Sequence, residues 1–223
     1  RIDIQGTDAL IINEKTWSWV TVPQRPADEE RTLVELEHID ERLWKVKMTY
    51  RGHTAGMIRR VGKGDKQRFL MQNIVTGAFW SGSELVDGTV QEVGQRLQLN
   101  LTLRAPKQTM KADGSIDLPL VIKRFWMRRF LQSERKLALR LSGSRSTEVI
   151  IRSQKSELTP SSALQSNGKL HSGSWSCSNE LCRFKMVIKP LIIGATDYAP
   201  LGQALRAFQT QLADQKIRLK QAI

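Results

Sequence analysis

The stretch KRFWMRRFLQSERK combines cationic side chains with aromatic rings, a combination suited to binding anions and nucleic-acid bases. Residues 119–136 hold six basic side chains and a single acidic one, Glu134. If the stretch is a β-strand, one of its faces carries Arg124, Trp126, Arg128 and Phe130. Guanidinium groups bind phosphate or carboxylate, and exposed rings stack on bases. The spacing therefore predicts a binding surface at these four residues, provided that both rings face solvent.

A second interpretation makes the same rings structural. Trp126 and Phe130 would then be buried against another layer, while the arginine stems run over them to reach water or an acidic neighbour. Neither a helical nor a strand period separates the apolar from the cationic residues, so the pattern does not decide between the two. The direction in which the two rings point distinguishes the interpretations.

Further basic side chains flank two predicted turns and would enlarge this surface if both turns lie at one end of a sheet. They are Arg59, Arg60, Lys63, Lys66 and Arg68 around the first turn, and Arg104, Lys107 and Lys111 before the second. Arg59 and Arg60 are included among the candidate binding residues. Their segment, RRVGKGDKQR, resembles a phosphate-binding loop only superficially, and predicted strands on both sides favour a basic hairpin turn.

The only two cysteines, Cys177 and Cys182, stand on either side of a four-residue loop in SWSCSNELCRF. On paired antiparallel strands their Cβ atoms come within bridging distance, so a disulfide is predicted. Disulfides persist in oxidising compartments, which indicates a periplasmic or extracellular protein. Two buried thiols in a cytoplasmic protein are the alternative. A zinc site is not favoured, because a second cysteine pair is missing.

The sequence lacks recognisable catalytic motifs. None of His38, His53 and His171 stands beside a nucleophile motif, and neither a G-x-S-x-G elbow nor a nucleotide-binding glycine motif occurs. Asp113 and Asp117 could pair, but the DGS sequence around them favours turn hydrogen bonds. We therefore predict a non-catalytic chain that needs neither a metal nor a cofactor.

Alternating apolar and polar residues predict the antiparallel strands that would carry these groups. The patterns are WKVKMTY at 44–50, RLQLNLTLR at 96–104, RKLALRLSG at 135–143 and STEVIIRS at 146–153. Turn signals stand at 62–66, 86–88, 112–115 and 142–146. The polar, Ser-rich segment 154–169 is predicted to be a long loop or a boundary between two β units.

The C-terminal sequence predicts an amphipathic helix, in which Pro200 occupies the first turn and Asp197 caps it. Its apolar stripe is formed by Leu201, Leu205, Phe208, Leu212 and Leu219. This stripe would pack on the chain's own sheet or on a partner helix, because its spacing continues to the end of the sequence.

Charge indicates the sign of the partner but not its identity. The 223 residues carry a formal net charge of +13, with a pI of about 10.1, which favours acidic proteins, nucleic acids or anionic membrane surfaces. Residues 1–50 hold seven basic and ten acidic side chains, whereas residues 51–223 hold 28 and 12. No apolar run approaches the roughly 18 residues needed to span a bilayer. Because the sequence begins at Arg1 rather than Met, we expect it to be a piece of a longer chain.

Together these patterns predict a mainly β fold of antiparallel sheets, as a meander, a sandwich or a partly open barrel, ending in an amphipathic helix. Residues 1–112 would form one β unit and residues 113–223 a second unit with the helix, or the two would form one continuous domain. The leading hypothesis is a non-catalytic binding or assembly module, the soluble part of a larger envelope, secretion or surface complex. The alternative is a basic nucleic-acid-binding protein that uses the arginine and aromatic surface.

Overall fold

The computed structural model describes residues 8–12, 16–22, 30–40, 42–60, 64–123, 139–140, 145–154, 156–158, 161–169, 171–189 and 192–221. The strands are β1 (Asp8–Ile12), β2 (Trp17–Thr21), β3 (Arg31–Asp40), β4 (Leu43–Tyr50), β5 (Glu84–Val93), β6 (Arg96–Arg104), β7 (Ser115–Asp117), β8 (Leu139–Arg140), β9 (Arg145–Ser153), β10 (Ser156–Leu158), β11 (Ser161–Asn167), β12 (His171–Cys177), β13 (Leu181–Ile188), β14 (Ile192–Ile193) and β15 (Lys216–Gln221). The helices are α1 (His53–Arg59), α2 (Asp65–Ala78), α3 (Leu120–Lys123) and α4 (Ala195–Ala213).

Eight of these strands form one mixed sheet in the order β11-β12-β13-β9-β3-β4-β6-β5. Neighbouring strands are antiparallel except for the central pair, β3 and β9, which is parallel. Four strands come from each of the two predicted β units, and whether those units fold independently stays a prediction. The mainly β, largely antiparallel fold class with a C-terminal helix is confirmed.

The predicted two-residue period builds the sheet because it sends apolar and polar side chains to opposite faces. In β4, Trp44, Val46 and Met48 are buried, while Lys45 and Lys47 are exposed. The strand predictions at 44–50 and 96–104 are therefore confirmed, and 146–153 lies within β9. Of the strand predicted at 135–143, the described residues include only β8.

The core lies on one face of this sheet, where helices α2 and α4 add their apolar side chains to a single buried cluster. Met71 and Val75 contribute from α2, and Phe208 and Leu212 contribute from α4. The indole rings of Trp44 on β4 and Trp80 after α2 lie with their centroids 5.0 Å apart. Phe208 and Leu212 of the helical stripe predicted near the C-terminus are thus packed within the chain, while pairing of the C-terminal helix with a partner helix stays a prediction.

The predicted hairpin turn at 62–66 is wrong, because helices rather than strands precede and follow it. Residues 53–59 and 65–78 are α1 and α2, and Gly52 and Gly64, with φ of 80° and 71°, stand at their N-caps. The four-residue spacing of buried Met71 and Val75 is typical of a helix face. Two short helices therefore connect β4 to β5.

The turn predicted at 86–88 is also wrong, because these residues lie inside β5 next to a register shift between Leu85 and Asp87. Gly88 serves close packing there. A Cβ atom on it would lie 2.9 Å from Met71 Sδ and 3.0 Å from Leu101 Cδ2. The glycine that suggested a turn instead lets β5 approach α2 and β6.

The long loop predicted at 154–169 is wrong, because this segment contains β10 and β11. A boundary between two β units there stays a prediction. In contrast, the turn predicted at 112–115 is confirmed. The backbone N–H of Ser115 donates to Asp113 Oδ1 at 2.9 Å, and Gly114 adopts a φ of 72°. Asp117 forms an ion pair with Lys111 at 3.2 Å instead of pairing with Asp113.

The C-terminal helix is placed differently from its prediction at both ends. It begins at Ala195 after Gly194, so Asp197 does not cap it and Pro200 lies inside it. Buried Tyr198 adds a turn to the apolar stripe, which explains the early start. Leu219 does not belong to the helix, because it lies in β15 opposite Leu158 of β10.

A separate hairpin, β1 and β2, carries large apolar side chains that are exposed. Leu10 pairs with Trp19 and Ile12 pairs with Trp17 across the hairpin. Trp17 and Trp19 are 70% and 65% exposed. The alternation that predicted the strands of the large sheet does not extend to this hairpin, where apolar residues occupy both faces.

Gly173 on β12 provides a test of the packing between the sheet and α4. A Cβ atom there would lie 2.5 Å from Met186 Cε and 2.7 Å from Phe208 Cε1. We expect Gly173→Ala to lower the free energy of unfolding by about 1–3 kcal/mol through overpacking, measured by urea denaturation. Gly77→Ala is the matched control, because a Cβ atom on this helical residue meets nothing within 4 Å. Equal effects of the two substitutions would contradict this packing.

Candidate functional site

The face of the eight-stranded sheet opposite the core, here called the open face, carries charged side chains in columns. On β3, Glu35 and Glu37 point outward and alternate with buried Val34, Leu36 and His38. Lys47 and Lys45 of β4 stand opposite these two carboxylates. A column of acidic side chains therefore lies beside a column of basic ones, as the alternation on each strand requires.

Ion pairs connect the acidic column to both neighbouring strands. Glu35 Oε2 lies 3.7 Å from Lys47 Nζ of β4, and Glu35 Oε1 lies 3.7 Å from an Arg152 guanidinium nitrogen of β9. Gln154 Nε2 donates to Glu37 Oε1 at 2.7 Å. Exposed pairs of this kind contribute only about 0–1 kcal/mol each. Their main effect is to set a pattern of alternating charge on the open face.

A shallow groove of about 450 Å³ runs across this pattern from β5 to β9. Hydroxyl and amide groups of Thr89, Asn100 and Thr102 line it together with the charged residues. Asp87 supplies a further carboxylate at its β5 side. The groove can therefore accept hydrogen bonds and donate them, and it offers charges of both signs.

Three arginines stand side by side at one end of the open face and are here called the arginine row. Arg31 begins β3, Arg51 follows β4 and Arg96 begins β6. The backbone N–H of Arg51 donates to the carbonyl of Arg31 at 2.9 Å. Tyr50 of β4 pairs with Leu97 of β6. Arg51 directly follows Tyr50, and Arg96 directly precedes Leu97. The row is thus positioned by backbone pairing of three adjacent strands.

The arginine row surrounds a recess of about 250 Å³ whose other lining residues are Leu33 and Thr49. Arg31 donates to Glu148 Oε2 at 2.7 Å, and the other oxygen of this carboxylate lies 3.6 Å from Arg183 Nε. Within the described part of the chain, Arg51 and Arg96 have no carboxylate at ion-pair distance. Among the described residues, positive charge at the recess therefore exceeds the negative charge that balances it.

Of the predicted binding residues, Arg59 and Arg60 are described and neither lines the recess. The Arg59 guanidinium lies 3.5 Å from a Glu92 carboxylate oxygen and donates to the Gln95 carbonyl at 3.1 Å, which ties α1 to the turn before Arg96. Arg60 is exposed just after α1. A binding role for either residue stays a prediction.

The other predicted binding residues, Arg124, Trp126, Arg128 and Phe130, lie outside the described residues. The direction of the two rings, which decides between the two interpretations of that stretch, is therefore untested. The nucleic-acid surface that depends on these rings stays a prediction.

Sequence reasoning missed the arginine row because it searched turns and long basic runs. Each of these arginines has no basic residue beside it in the sequence and stands at the end of a strand. Each lies two residues from the nearest outward-facing side chain of that strand. Arg31, Arg51 and Arg96 precede or follow Leu33, Thr49 and Gln98 in this way. The sequence showed that each arginine could face outward. The three come together only because β6 pairs with β4, and this pairing depends on residues distant in sequence.

Cys177 and Cys182 are opposite residues of the β12–β13 hairpin and lie at disulfide distance, as predicted. Their Cα atoms are 4.0 Å apart, and both side chains are buried. The Ser178 N–H donates to the Leu181 carbonyl at 2.9 Å, which closes the turn between them. The bond would constrain this hairpin two residues along the strands from Trp175 and Phe184, which are also buried.

The described residues contain no group of three or more His, Cys, Asp or Glu side chains that could hold a metal ion. Among the helices in this part of the chain, none is both long and apolar enough to cross a membrane.

These features define a mainly β chain with an eight-stranded mixed sheet. Helices lie on the core face of this sheet, and charged side chains lie on the opposite face. No family model matches the chain, and no match was found among the curated proteins or the solved structures. The site must therefore be interpreted from its own chemistry.

The cysteine pair generates a direct chemical prediction. After refolding under oxidising conditions, the denatured and unreduced protein should show no thiol in a titration, and two after reduction. Reduction should lower the free energy of unfolding by about 2 kcal/mol, the loop-entropy value for so short a ring. Two titratable thiols before reduction would contradict the pairing.

Proposed function

We propose that this chain is a non-catalytic binding module that docks a protein partner on its open face. The observation that carries the proposal is the acidic column of β3 beside the lysine column of β4, with Arg152 of β9 on its other side and a groove across them. A partner protein with the opposite charge pattern can then bind favourably in one register, in which each column meets charges of the opposite sign. The columns also exclude partners whose charges meet like charges.

The same pattern favours a protein over a nucleic acid on this face. A phosphate backbone carries closely spaced negative charges along its whole length, and its binding is driven by neutralising them with Lys and Arg. Glu35, Glu37 and Asp87 line the groove beside the lysines and would repel such a backbone. The lining residues of the groove also include no aromatic ring on which bases could stack.

We further propose that the module belongs to a larger complex of the cell envelope, a secretion system or the cell surface. The paired cysteines support an oxidising compartment, where such a bond persists. The absence of a recognisable catalytic motif in the sequence is in keeping with a structural subunit. Buried Leu205 and Phe208 show that the C-terminal helix stabilises this module.

Removing two outward lysines tests the open face. Lys45→Ala with Lys47→Ala should weaken capture of the partner about fivefold, equivalent to about 1 kcal/mol. Immobilised wild type and variants would be exposed to an extract of the source cells treated with nuclease, and captured proteins would be quantified by mass spectrometry. Lys66→Ala with Lys107→Ala is the matched control, because these lysines are exposed on α2 and in the turn after β6.

The expected result is a protein retained equally by the wild type and the control pair and depleted with the open-face pair. Equal capture by all three chains would show that the partner does not use these columns. Loss of all capture after nuclease treatment would favour the nucleic-acid alternative instead. Thermal unfolding of each variant separates lost binding from lost folding, since both lysines are exposed.

A further inference from the structure

We propose that the arginine row is a binding site for a tetrahedral dianion, either free phosphate or sulfate or the phosphoryl group of a small phosphate monoester. This site is distinct from the groove between the charged columns, since its recess is lined by Arg31, Leu33, Thr49, Arg51 and Arg96. It does not depend on the proposed docking of a protein partner.

The charge at the recess matches a dianion. One carboxylate oxygen of Glu148 forms an ion pair with Arg31, and its other oxygen forms an ion pair with Arg183. Arg51 and Arg96 are left without a carboxylate at ion-pair distance among the described residues. A ligand of charge −2 would neutralise both, whereas a single carboxylate would leave one of them uncompensated.

The geometry also suits a tetrahedral oxyanion. The three arginines extend from adjacent strands, which lie about 4.8 Å apart in a sheet. Guanidinium groups donate in planar forks that bind two oxygens of a phosphate at once. Thr49 adds a hydroxyl to the lining of the same recess. Several donors can therefore converge on different oxygens of one anion.

The recess leaves room for more than the anion. The recess has a volume of about 250 Å³, and the side chain of Leu33 forms an apolar wall beside the charged groups. Leu33 is half-buried at this position, so its exposed part can contact the group that carries the anion. A small phosphate monoester therefore fits the chemistry at least as well as the free ion.

The arrangement is unfavourable in the absence of a ligand, which makes ligand binding visible as stabilisation. Like charges on neighbouring strands destabilise a sheet, and Arg51 stands between two others. A ligand that binds only the folded chain raises its stability in proportion to the logarithm of ligand concentration. Phosphate should therefore keep raising the melting temperature with the logarithm of its concentration, while the occupancy of the site saturates.

The test is a titration of the full chain at pH 7.5 and constant ionic strength with phosphate, sulfate, glycerol phosphate or acetate. Melting temperature and the arginine side-chain N–H signals in NMR spectra would both be followed. We expect saturable binding of the three dianions and only a weak effect of acetate. Tighter binding of glycerol phosphate than of phosphate would identify a carried group, and equal binding would identify the free anion.

Single substitutions localise the site. Arg51→Gln and Arg96→Gln should each weaken phosphate binding about tenfold or more, the effect of removing a charged hydrogen-bonding partner. Arg68→Gln is the matched control, because it removes the same charge from an exposed position on α2. Without phosphate, Arg51→Gln should leave the melting temperature unchanged or raise it, since it relieves repulsion.

Equal weakening by Arg68→Gln, or equal responses to acetate and phosphate at matched ionic strength, would overturn the proposal, because both would indicate general screening. Failure here leaves the protein-docking proposal intact, since that proposal is tested at Lys45 and Lys47 in a different part of the open face. Conversely, loss of partner capture at those lysines does not affect the anion titration.

Discussion

The parallel pairing of β3 with β9 is the constraint on which the rest of the large sheet depends. It joins Val34 to Val149 and Leu36 to Ile151 in the middle of the chain's only eight-stranded sheet among the described residues. All four side chains are buried. A slip of one residue would turn Glu35 toward the core and Val34 toward solvent, because side chains alternate along a strand. Burial of these aliphatic side chains therefore fixes the register of the two halves.

Part of the chemistry of the open face follows from the same register. Glu35 contacts Lys47 on one neighbouring strand and Arg152 on the other, so basic side chains from both neighbours lie beside a single acidic column. At the end of the pairing, Arg31 of β3 reaches Glu148 of β9 across 117 residues of sequence. The β3–β9 register thus places Arg152 and Glu148 beside the side chains of β3, whereas the pairing of β3, β4 and β6 positions the lysines and the arginine row.

The local pattern predicted what depends on neighbours in sequence. The alternation in β4 and β6, the Asp113 turn and the hairpin that pairs Cys177 with Cys182 all involve residues close together along the chain. Two-residue periodicity contains this information, because each strand's apolar side must face the core. The fold class and the cysteine pairing were therefore readable from the residues.

Long-range pairing was not readable, and the missed features share that origin. The parallel contact of β3 with β9, the placement of β5 outside β6, and the strand that contains Leu219 all depend on partners distant in sequence. Glycine was also ambiguous. Gly64 precedes a helix and Gly88 permits close packing, although both resembled turn residues.

The contrast between the middle and the end of the open face separates function from simple solubility. In the middle, opposite charges neighbour one another, as a stable and soluble sheet requires. At the end, three arginines adjoin one another, and among the described residues only Arg31 has a carboxylate, Glu148, at ion-pair distance. Solubility does not demand this arrangement, because a carboxylate at position 51 would serve it equally and would also remove the repulsion. A local sacrifice of stability with no structural return is characteristic of a binding site, and the ligand that restores the balance is an anion.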